Sequence, residues 1–381
     1  MKSIKQLNLF LSVMQDKRKY KFKIQYKMED VLTIILCGLL CGCEDIKKIH
    51  MYAKNKENFF KKYFNIKNIP SVQTMYRILQ IVDYEMLDML IEAWIRYLIP
   101  NLKGKVLSLD GKEIVSTERR SAYDRPLYTI TAYLGELGVS LRQFFVEGKG
   151  NEIKAVQEMI EIINIEGMII TADANHCQKK TVEKIIENKG DYVIQVKKNQ
   201  GNFYADIKEM FNDKISSEYK KDKEDYEYYE EREKNGNRIE KRACYVLKDI
   251  EYFTSKKEWK ELKNIFAVER EVEIKGKVRK EYSYYITSLE ASPKELLYYS
   301  RNHWMIESMH WLLDTNLRED KCKLVNKNAQ KVLNILRKVS LDFHKRYLNT
   351  KNIKKPMSNN MFECLLDDNK LLDVLSFLIT Q

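Results

Sequence analysis

The chain has 381 residues, 44% of them hydrophobic, which is enough to fill more than one core. Lys and Arg outnumber Asp and Glu, and the resulting net charge of +12 is spread along the whole chain. This balance favours a polyanionic partner, most simply nucleic acid, although many lysine-rich proteins are merely basic. Seven irregularly placed cysteines do not show the pattern of a disulfide framework, so a reducing cytoplasm fits best.

Neither a membrane segment nor a signal peptide is expected. The longest apolar run, residues 31–43, is short of the roughly 20 residues that a helix needs to cross a bilayer. The N-terminal stretch soon becomes charged again and shows no small-residue cleavage site. The sequence therefore predicts a protein that makes no contact with a membrane.

The first hundred residues predict helices throughout. Helices are expected over 28–43, 45–64 and 84–98. Between the last two, Ser71 is an N-cap candidate for a short amphipathic helix. A helix, a break and this second helix predict either a helix-turn-helix, with Gln73 and Arg77 reaching DNA, or an ordinary small helical bundle.

From residue 105 the pattern changes to apolar strand runs that alternate with helical periodicity. This order is typical of an α/β fold with a mixed sheet. The first strand is expected to end in a turn at Asp110-Gly111. A later strand is expected to end at Asp173, and the helix that follows it is expected to stop at Gly190.

Residues 205–285 differ again, because a stretch dense in charge and Tyr is followed by three strand-like runs. Hairpin turns are expected at Asn235-Gly236 and Lys275-Gly276, so the segment predicts a β-rich insertion. After the insertion, Pro293 is expected to open a helix. A further amphipathic basic helix is expected from Asn328, before a C-terminal tail.

The segment 301–320, RNHWMIESMHWLLDTNLRED, mixes carboxylate, imidazole and indole side chains at helical spacing. As one helix, it would carry five such side chains on one face: His303, Glu307, His310, Trp311 and Asp314. That mixture is unusual for a plain core. It suggests a site where a carboxylate is held against something charged.

Three acidic residues stand out by position: two at predicted strand ends, Asp110 and Asp173, and one in a helix, Glu307. Carboxylates at strand ends face the sheet edge where α/β proteins bind ligands. Together the three could hold Mg²⁺, which prefers oxygen ligands, and two such ions suit phosphodiester chemistry. Taken singly, the residues are also explained as a turn residue, a helix N-cap and a surface ion-pair member, respectively.

Several segments in succession resemble the DDE transposases of bacterial insertion sequences, in the branch that includes the H-repeat-associated proteins. They cover nearly the full chain: LSLDGK at 107–112, GKGNEIKAVQEM at 148–159, TADANHCQKKTVEKI at 171–185, GDYVIQVKKNQ at 190–200, the segment 301–320 and NAQKVLNILRKVSL at 328–341. The resemblance implies a ribonuclease-H-like core, which is an α/β mixed sheet flanked by helices. The implied organisation is a helical DNA-binding or associated domain at 1–100, a core at 101–204 and 286–348, a β-rich insertion at 205–285 and a tail at 349–381.

The same resemblance implies the activity. Asp110, Asp173 and Glu307 would be the catalytic, metal-binding triad, with two Mg²⁺ or Mn²⁺ ions. The protein would cut the ends of an insertion element and join the 3′-hydroxyl to target DNA, acting as a homo-oligomer on double-stranded terminal repeats and target. A bacterial cytoplasm with nucleoid association follows. The alternatives are a metal-dependent endonuclease without strand transfer and a non-catalytic DNA-binding remnant.

Other polar residues are candidates for DNA contact. Five are candidate phosphate or DNA contacts by position, although a lysine on a solvated loop is the ordinary alternative: Lys112, Lys197, Lys198, Gln200 and Arg301. His303 and His310 lie about one turn either side of Glu307 and either orient it, contact a phosphate or pack structurally.

The rest of the segment 301–320 carries structural expectations. Trp304 and Trp311 are expected to pack in a core, with base stacking as the alternative. Asp314, Glu319 and Asp320 are expected to cap or pair locally, with assistance at the metal site as the alternative. A broader group of transposases carries Tyr, Arg and Lys around the catalytic Glu. This chain has Ser300, His303 and Asp314 at those spacings.

Overall fold

The computed structural model describes residues 9, 11–18, 24–115, 126–215, 226–251 and 253–376. The chain divides into two compact units. The helical unit comprises Met1–Asn101, Gly111–Glu152 and Glu307–Gln381, and the sheet unit comprises Leu102–Asp110 and Ile153–Ile306. No helix in the described part of the chain is both long and apolar enough to span a membrane.

The N-terminal helices follow the sequence prediction with two corrections. They are α1 (Met28–Leu40), α2 (Ile46–Asn55), α3 (Glu57–Phe64), α4 (Val72–Ile81) and α5 (Tyr84–Leu98). Ser71 caps α4 as predicted, because its Oγ accepts a hydrogen bond from the N–H of Thr74 (3.2 Å). The single helix predicted over 45–64 is wrong, since the chain leaves helical geometry at Lys56. The helix predicted to reach Cys43 ends earlier, and Gly42 then adopts a φ of 76°.

The remaining helices are α6 (Glu152–Ile162), α7 (Lys179–Glu187), α8 (Asn202–Ile215), α9 (Pro293–Asn302), α10 (Trp304–Asn316), α11 (Lys327–Thr350), α12 (Met357–Leu366) and α13 (Asp368–Ser376). The prediction of one helix over 301–320 is wrong. The helix breaks at His303, where the N–H of Ile306 bonds to a carbonyl only three residues back (3.2 Å). The residue in left-handed geometry after α7 is Lys189 (φ 60°), not the predicted Gly190.

In the described part of the chain, nine strands form one mixed sheet. The strands are β1 (Val106–Ile114), β2 (Leu127–Leu134), β3 (Val139–Glu147), β4 (Ile169–Ala172), β5 (Asp191–Val196), β6 (Tyr226–Asn235), β7 (Arg238–Leu247), β8 (Asn264–Ile274) and β9 (Lys277–Thr287). Their order is β3-β2-β1-β4-β5-β9-β8-β7-β6, with β1, β4 and β5 parallel. The predicted α/β class with a mixed sheet is confirmed, and the order of the first five strands agrees with a ribonuclease-H-like core.

The predicted turn at Asp110-Gly111 is wrong, because β1 runs through both residues to Ile114. Gly111 is not there for left-handed geometry, since its φ is not positive. Instead, a Cβ at Gly111 would overlap the buried carboxylate of Glu152. Gly111 therefore lets the side chain of Glu152 lie close to the backbone of β1, and it does not mark a reversal of the chain.

The sheet unit buries one apolar face under α9. Val106, Ile169 and Val193, from the three parallel strands, share a core cluster with Leu296 and Leu297 of α9. The four strands β6 to β9 form hairpins that turn at Gly236 and Gly276, as predicted, and β9 pairs antiparallel with β5. The strands of residues 205–285 thus extend the same sheet.

The helical unit is built around α11, which is buried on nearly every side. The expected helix is present, but its cationic side chains are not all on a solvated face. The buried ammonium of Lys338 donates to the hydroxyls of Thr129 (2.9 Å) and Thr131 (2.7 Å). The buried carboxylate of Asp342 accepts from the backbone N–H of Ser140 (2.9 Å). Because these groups find partners inside, the helix can be polar and buried at once.

Candidate active site

The strand register of the sheet unit brings two of the predicted acidic residues together. β1 and β4 are parallel neighbours, and Leu109 is the register partner of Ala172. Asp110 and Asp173 each follow directly after those partners. Adjacent strands lie about 4.8 Å apart, so the two aspartates stand side by side at the same level of the sheet. The register therefore puts Asp110 and Asp173 on neighbouring strands, and their sharing of a metal site stays a prediction.

The loop that carries Asp173 is fixed by its own hydrogen bonds. The side chain of Asp173 accepts from the N–H of Asn175 (3.0 Å) and caps one 3₁₀ turn, Ala174–His176, rather than the later helix. The imidazole of His176 is fully buried, with Nε2 3.8 Å from Oδ1 of Asp173. Local capping and a buried neighbour thus hold the carboxylate at the end of β4.

Two amides tie the loop after β5 to the loop after β4. The Nδ2 of Asn199 donates to the carbonyl of Ala174 (2.7 Å), and the Nε2 of Gln200 donates to the carbonyl of Cys177 (2.6 Å). Gln200, predicted as a DNA contact, thus has a structural partner for its amide. The two bonds keep the neighbouring loops in a fixed relation.

These loops border a cleft of about 450 Å³ in the sheet unit. Asp173 lines it together with Lys197 and Lys198, and Tyr204 of α8 lines it as well. Both lysines are exposed, and neither forms an ion pair within the described ranges. Two uncompensated ammonium groups beside a carboxylate suit a phosphate-bearing ligand.

The carboxylates of the candidate site are possible ligands for a divalent cation. Asp110 and Asp173 offer hard carboxylate oxygens, and Mg²⁺ is commonly held by one or two carboxylates together with substrate phosphates. Over the ranges that the structure describes, no group of three His, Cys, Asp or Glu side chains could hold a metal ion. The two aspartates thus fit an ion that takes its remaining ligands from elsewhere, including a bound phosphate.

Glu307, the third predicted ligand, belongs to the helical unit. It lies in the first turn of α10 and is exposed. The buried stripe of this helix is Ile306, Met309 and Leu313, which leaves Glu307 on the opposite face. Its membership of one metal site with the two aspartates stays a prediction.

The expected packing of the two tryptophans is wrong. Trp304 is 49% exposed and Trp311 is 64% exposed. They lie on the outer face of α10 because the apolar stripe, rather than the aromatic residues, faces inward. His310, by contrast, is buried, so the five residues predicted to share one face of a single helix do not.

Lys112 is engaged inside the helical unit. Its Nζ lies 2.5 Å from Oδ1 of Asp314 and 2.5 Å from Oε2 of the fully buried Glu319. Burial alone would raise the pKa of Glu319, but Lys112 and then Lys338 hold the pKa of that carboxyl below its usual value. Asp314 and Glu319 pair here with a residue that lies 202 and 207 positions earlier in the chain, respectively, so the ammonium of Lys112 already has two anionic partners.

Arg301 is also engaged, within the sheet unit. Its guanidinium pairs with Glu231 and, at 3.0 Å, with Glu233 of β6. Trp304 follows Arg301 closely in the chain. The guanidinium of Arg270, on β8, lies over the ring of Trp304, 4.8 Å from its centroid. These contacts join the hairpins to the end of α9, where His303 forms the break before α10. A phosphate would have to compete with two carboxylates for Arg301.

Gln73 and Arg77 both lie exposed on α4, one turn apart. The helix is anchored at its other end, where the Nδ2 of Asn328 donates to the carbonyl of Val82 (2.6 Å) and to that of Leu79 (3.0 Å). The exposed pair is thus presented on a fixed helix, which is compatible with either predicted role of the N-terminal region.

Three residues that take part in the contacts described above were not predicted. They are His176, Tyr204 and Glu152. Glu152 lies in the motif GKGNEIKAVQEM, so the sequence marked its position as part of the family resemblance. Its contact with Gly111 depends on tertiary packing, which the sequence does not show. His176 and Tyr204 had no distinguishing spacing in the sequence.

Comparison with known proteins identifies the family. The model of the transposase DDE domain matches residues 102–343, and that of the DDE_Tnp_1-associated region matches 9–95. The "H repeat-associated putative transposase YhhI" of Escherichia coli K12 is 28% identical over 98% of both chains. The "Putative transposase YncI" of Escherichia coli O157:H7 is 28% identical over 89% of this chain and 87% of that protein. A piggyBac transposase, solved by cryo-EM as a synaptic complex with hairpin DNA, aligns with 99% of this chain and 82% of that chain at 11% identity and a TM-score of 0.44. The chain belongs to the family of the transposase DDE domain.

Proposed function

We propose that this protein cuts the ends of an insertion element and joins the freed 3′-hydroxyl to target DNA. The observation that carries the proposal is the placement of Asp110 and Asp173 on neighbouring parallel strands, where Asp173 lines a cleft together with two lysines that form no ion pair in the part of the chain that the structure describes. Membership of the transposase family gives that arrangement its reaction class. The net charge of +12 suits a DNA substrate.

Each part of the candidate site has a proposed role. Asp110 and Asp173 would hold divalent cations, two Mg²⁺ or Mn²⁺ ions, with Glu307 as the third carboxylate. Bound ions of this kind neutralise charge on the phosphate and favour the attacking and leaving oxygens. Lys197 and Lys198 position the phosphate backbone at the cleft. The reaction runs in two transfers: water attacks the phosphodiester and a 3′-hydroxyl leaves, and that hydroxyl then attacks the target strand with release of another 3′-hydroxyl.

The remaining proposals concern partners. Gln73 and Arg77 on α4 contact the terminal repeats, with His303, His310, Gln200 and Arg301 as further candidates for DNA contact. Double-stranded element ends and target DNA are the substrates, and a homo-oligomer assembles on them. The protein acts in the bacterial cytoplasm on nucleoid DNA.

A strand-transfer assay tests the proposal. The purified protein is incubated with Mg²⁺ or Mn²⁺, a plasmid target and a precut duplex that carries the inverted repeat flanking the gene. Joined product is expected. Cleavage of uncut ends without any joined product would instead identify a nuclease, and binding without divalent-dependent cleavage would identify a non-catalytic remnant.

A further inference from the structure

A second cleft lies wholly within the helical unit. It has a volume of about 390 Å³ and is bounded by the start of α2, by α4, by α11 and by the segment between α10 and α11. Five cationic side chains line it against two carboxylates: Lys48, Arg318, Lys321, Lys323 and Arg337 face Glu44 and Asp45. This basic cleft contains none of the residues assigned to the proposed reaction.

The cations of the basic cleft are only partly neutralised. Glu44 is shared by Lys48, whose Nζ is 2.5 Å from Oε1, and by Arg318, whose Nη1 is 3.7 Å from the same oxygen. Lys321 and Lys323 are exposed, and neither forms an ion pair within the described ranges. Between and after them, Cys322 and Leu324 are buried. The alternation turns both ammonium groups outward at the rim of the cleft.

Arg337 supplies a buried donor without an acceptor in the described part of the chain. It is only 2% exposed, and its Nη2 donates to the carbonyl of Glu44 (3.1 Å). Its Nε is buried and finds no acceptor among the residues that the structure describes. A buried donor without an acceptor is unfavourable, and Arg337 is one of the residues that line the basic cleft.

The backbone at the rim is also constrained. Arg318 has a φ of 47°, in the left-handed region that a residue with a long side chain rarely adopts. Such geometry is held by surrounding structure and is concentrated at functional sites. At Arg318 it places a guanidinium in the lining of the basic cleft.

We propose that the basic cleft binds the phosphate backbone of duplex DNA and thereby fixes α4 on its substrate. The proposal rests on the proposed function for the identity of the polyanion. Tyr76 of α4 lines the basic cleft, and Gln73 lies one helical turn before it on the exposed side. A phosphate held by Arg318, Lys321 and Lys323 would set the position of α4, while its exposed side chains meet the DNA.

Equilibrium binding of a fluorescent 30-base-pair duplex tests the proposal, in EDTA so that divalent cations play no part. The double variant Lys321→Ala/Lys323→Ala is compared with Lys61→Ala/Lys67→Ala, which removes the same charge from exposed positions at α3 and just after it. The cleft variant should bind roughly tenfold more weakly at ~100 mM salt, and the slope of log Kd against log salt should fall by about 1 to 2. Equal weakening by the two double variants would overturn the proposal.

The variant Arg318→Gly gives a second measurement. Glycine accepts the left-handed backbone, so the fold is retained while the guanidinium is removed. It should weaken duplex binding about threefold to tenfold without a fall in melting temperature. Unchanged binding by Arg318→Gly would count against the proposal.

The DNA-binding role of the basic cleft and the proposed function can fail independently of each other. If the wild type shows no divalent-dependent cleavage but duplex binding still depends on Lys321 and Lys323, the reaction is wrong and the basic cleft stands. If the wild type cleaves and joins DNA but the cleft variants bind like the control variant, the basic cleft is wrong and the reaction stands.

Discussion

At the scale of single residues, the environment separates lysines that the sequence cannot tell apart. Lys112, Lys197 and Lys198 all follow strand-like runs and all are candidate phosphate contacts. Only the last two are exposed and unpaired within the described ranges, while Lys112 is held between Asp314 and the fully buried Glu319. Removal of Lys112 would leave the buried carboxylate without its nearest counter-charge.

The variant Lys112→Met should therefore unfold more easily, by about 3 kcal/mol, because an uncompensated charge stays buried. Lys198→Ala, a matched lysine on the exposed loop, should change the free energy of unfolding by less than about 0.5 kcal/mol. Urea unfolding monitored by circular dichroism measures both. Adding Glu319→Gln to Lys112→Met should restore part of the loss, and a neutral effect of Lys112→Met alone would show that the pair does not stabilise the fold.

At the scale of elements, close approach explains a glycine better than turn chemistry does. The dipeptide Asp110-Gly111 has the commonest turn composition, yet β1 continues through it. The space that Gly111 leaves is filled by the carboxylate of Glu152. Because β1 also carries Asp110, a shift of this strand would disturb the proposed metal ligand.

Gly111→Ala should lower the free energy of unfolding by about 1 to 3 kcal/mol, because the added methyl group overlaps Glu152. Gly150→Ala is the matched control, since nothing lies within 4 Å of a Cβ there and its φ is not positive. That variant should be neutral or slightly stabilising. Denaturant unfolding of the two variants measures this difference. Equal stability of Gly111→Ala and Gly150→Ala would show that the contact with Glu152 does not require a glycine at position 111.

The elements also show which features follow from sequence alone. Caps and hairpin turns are local, so Ser71 and the turn at Gly236 were predictable, as was the end of β4 before Asp173. Features that depend on tertiary packing were not predictable. The break at His303 has no Gly or Pro to signal it, and the exposure of Trp311 depends on which face of α10 finds a partner.

At the scale of the whole molecule, the helical unit depends on a buried polar centre around α11. The imidazole of His344 is fully buried between α1 and α12. Its Nε2–H donates to the carbonyl of Leu40 (2.9 Å), and its Nδ1 accepts from the Nδ2 of Asn360 (2.7 Å). Burial, with a smaller contribution from Lys370, lowers the pKa of His344 to about 4.

Because the folded pKa of His344 lies below its unfolded value, the neutral imidazole stabilises the fold above pH 6.5, and that contribution is lost as pH falls toward 4. The burial of Asp88 and Asp342 raises the pKa of each carboxyl to about 7, which acts in the opposite direction. The contribution of His344 is isolated by comparing the free energies of unfolding of the wild type and His344→Gln. The stability advantage of the wild type over His344→Gln should shrink by about 2 to 3 kcal/mol between pH 7 and pH 4. Urea unfolding at several pH values measures that gap, and a constant gap would contradict the assignment.

In the proposed reaction, Asp110 and Asp173 together support divalent-dependent cutting of element ends. The most direct test is single-turnover cleavage of a duplex that carries the flanking inverted repeat, in Mg²⁺ or Mn²⁺, by the wild type, Asp173→Asn and Glu183→Gln. Glu183 is an exposed acid on α7 nearby in the chain and serves as the matched control. Cleavage by Asp173→Asn should fall to the level seen without metal, although this variant should still bind the duplex. Cleavage by Glu183→Gln should stay as in the wild type. Cleavage by Asp173→Asn at the wild-type rate would show that Asp173 is not a catalytic metal ligand.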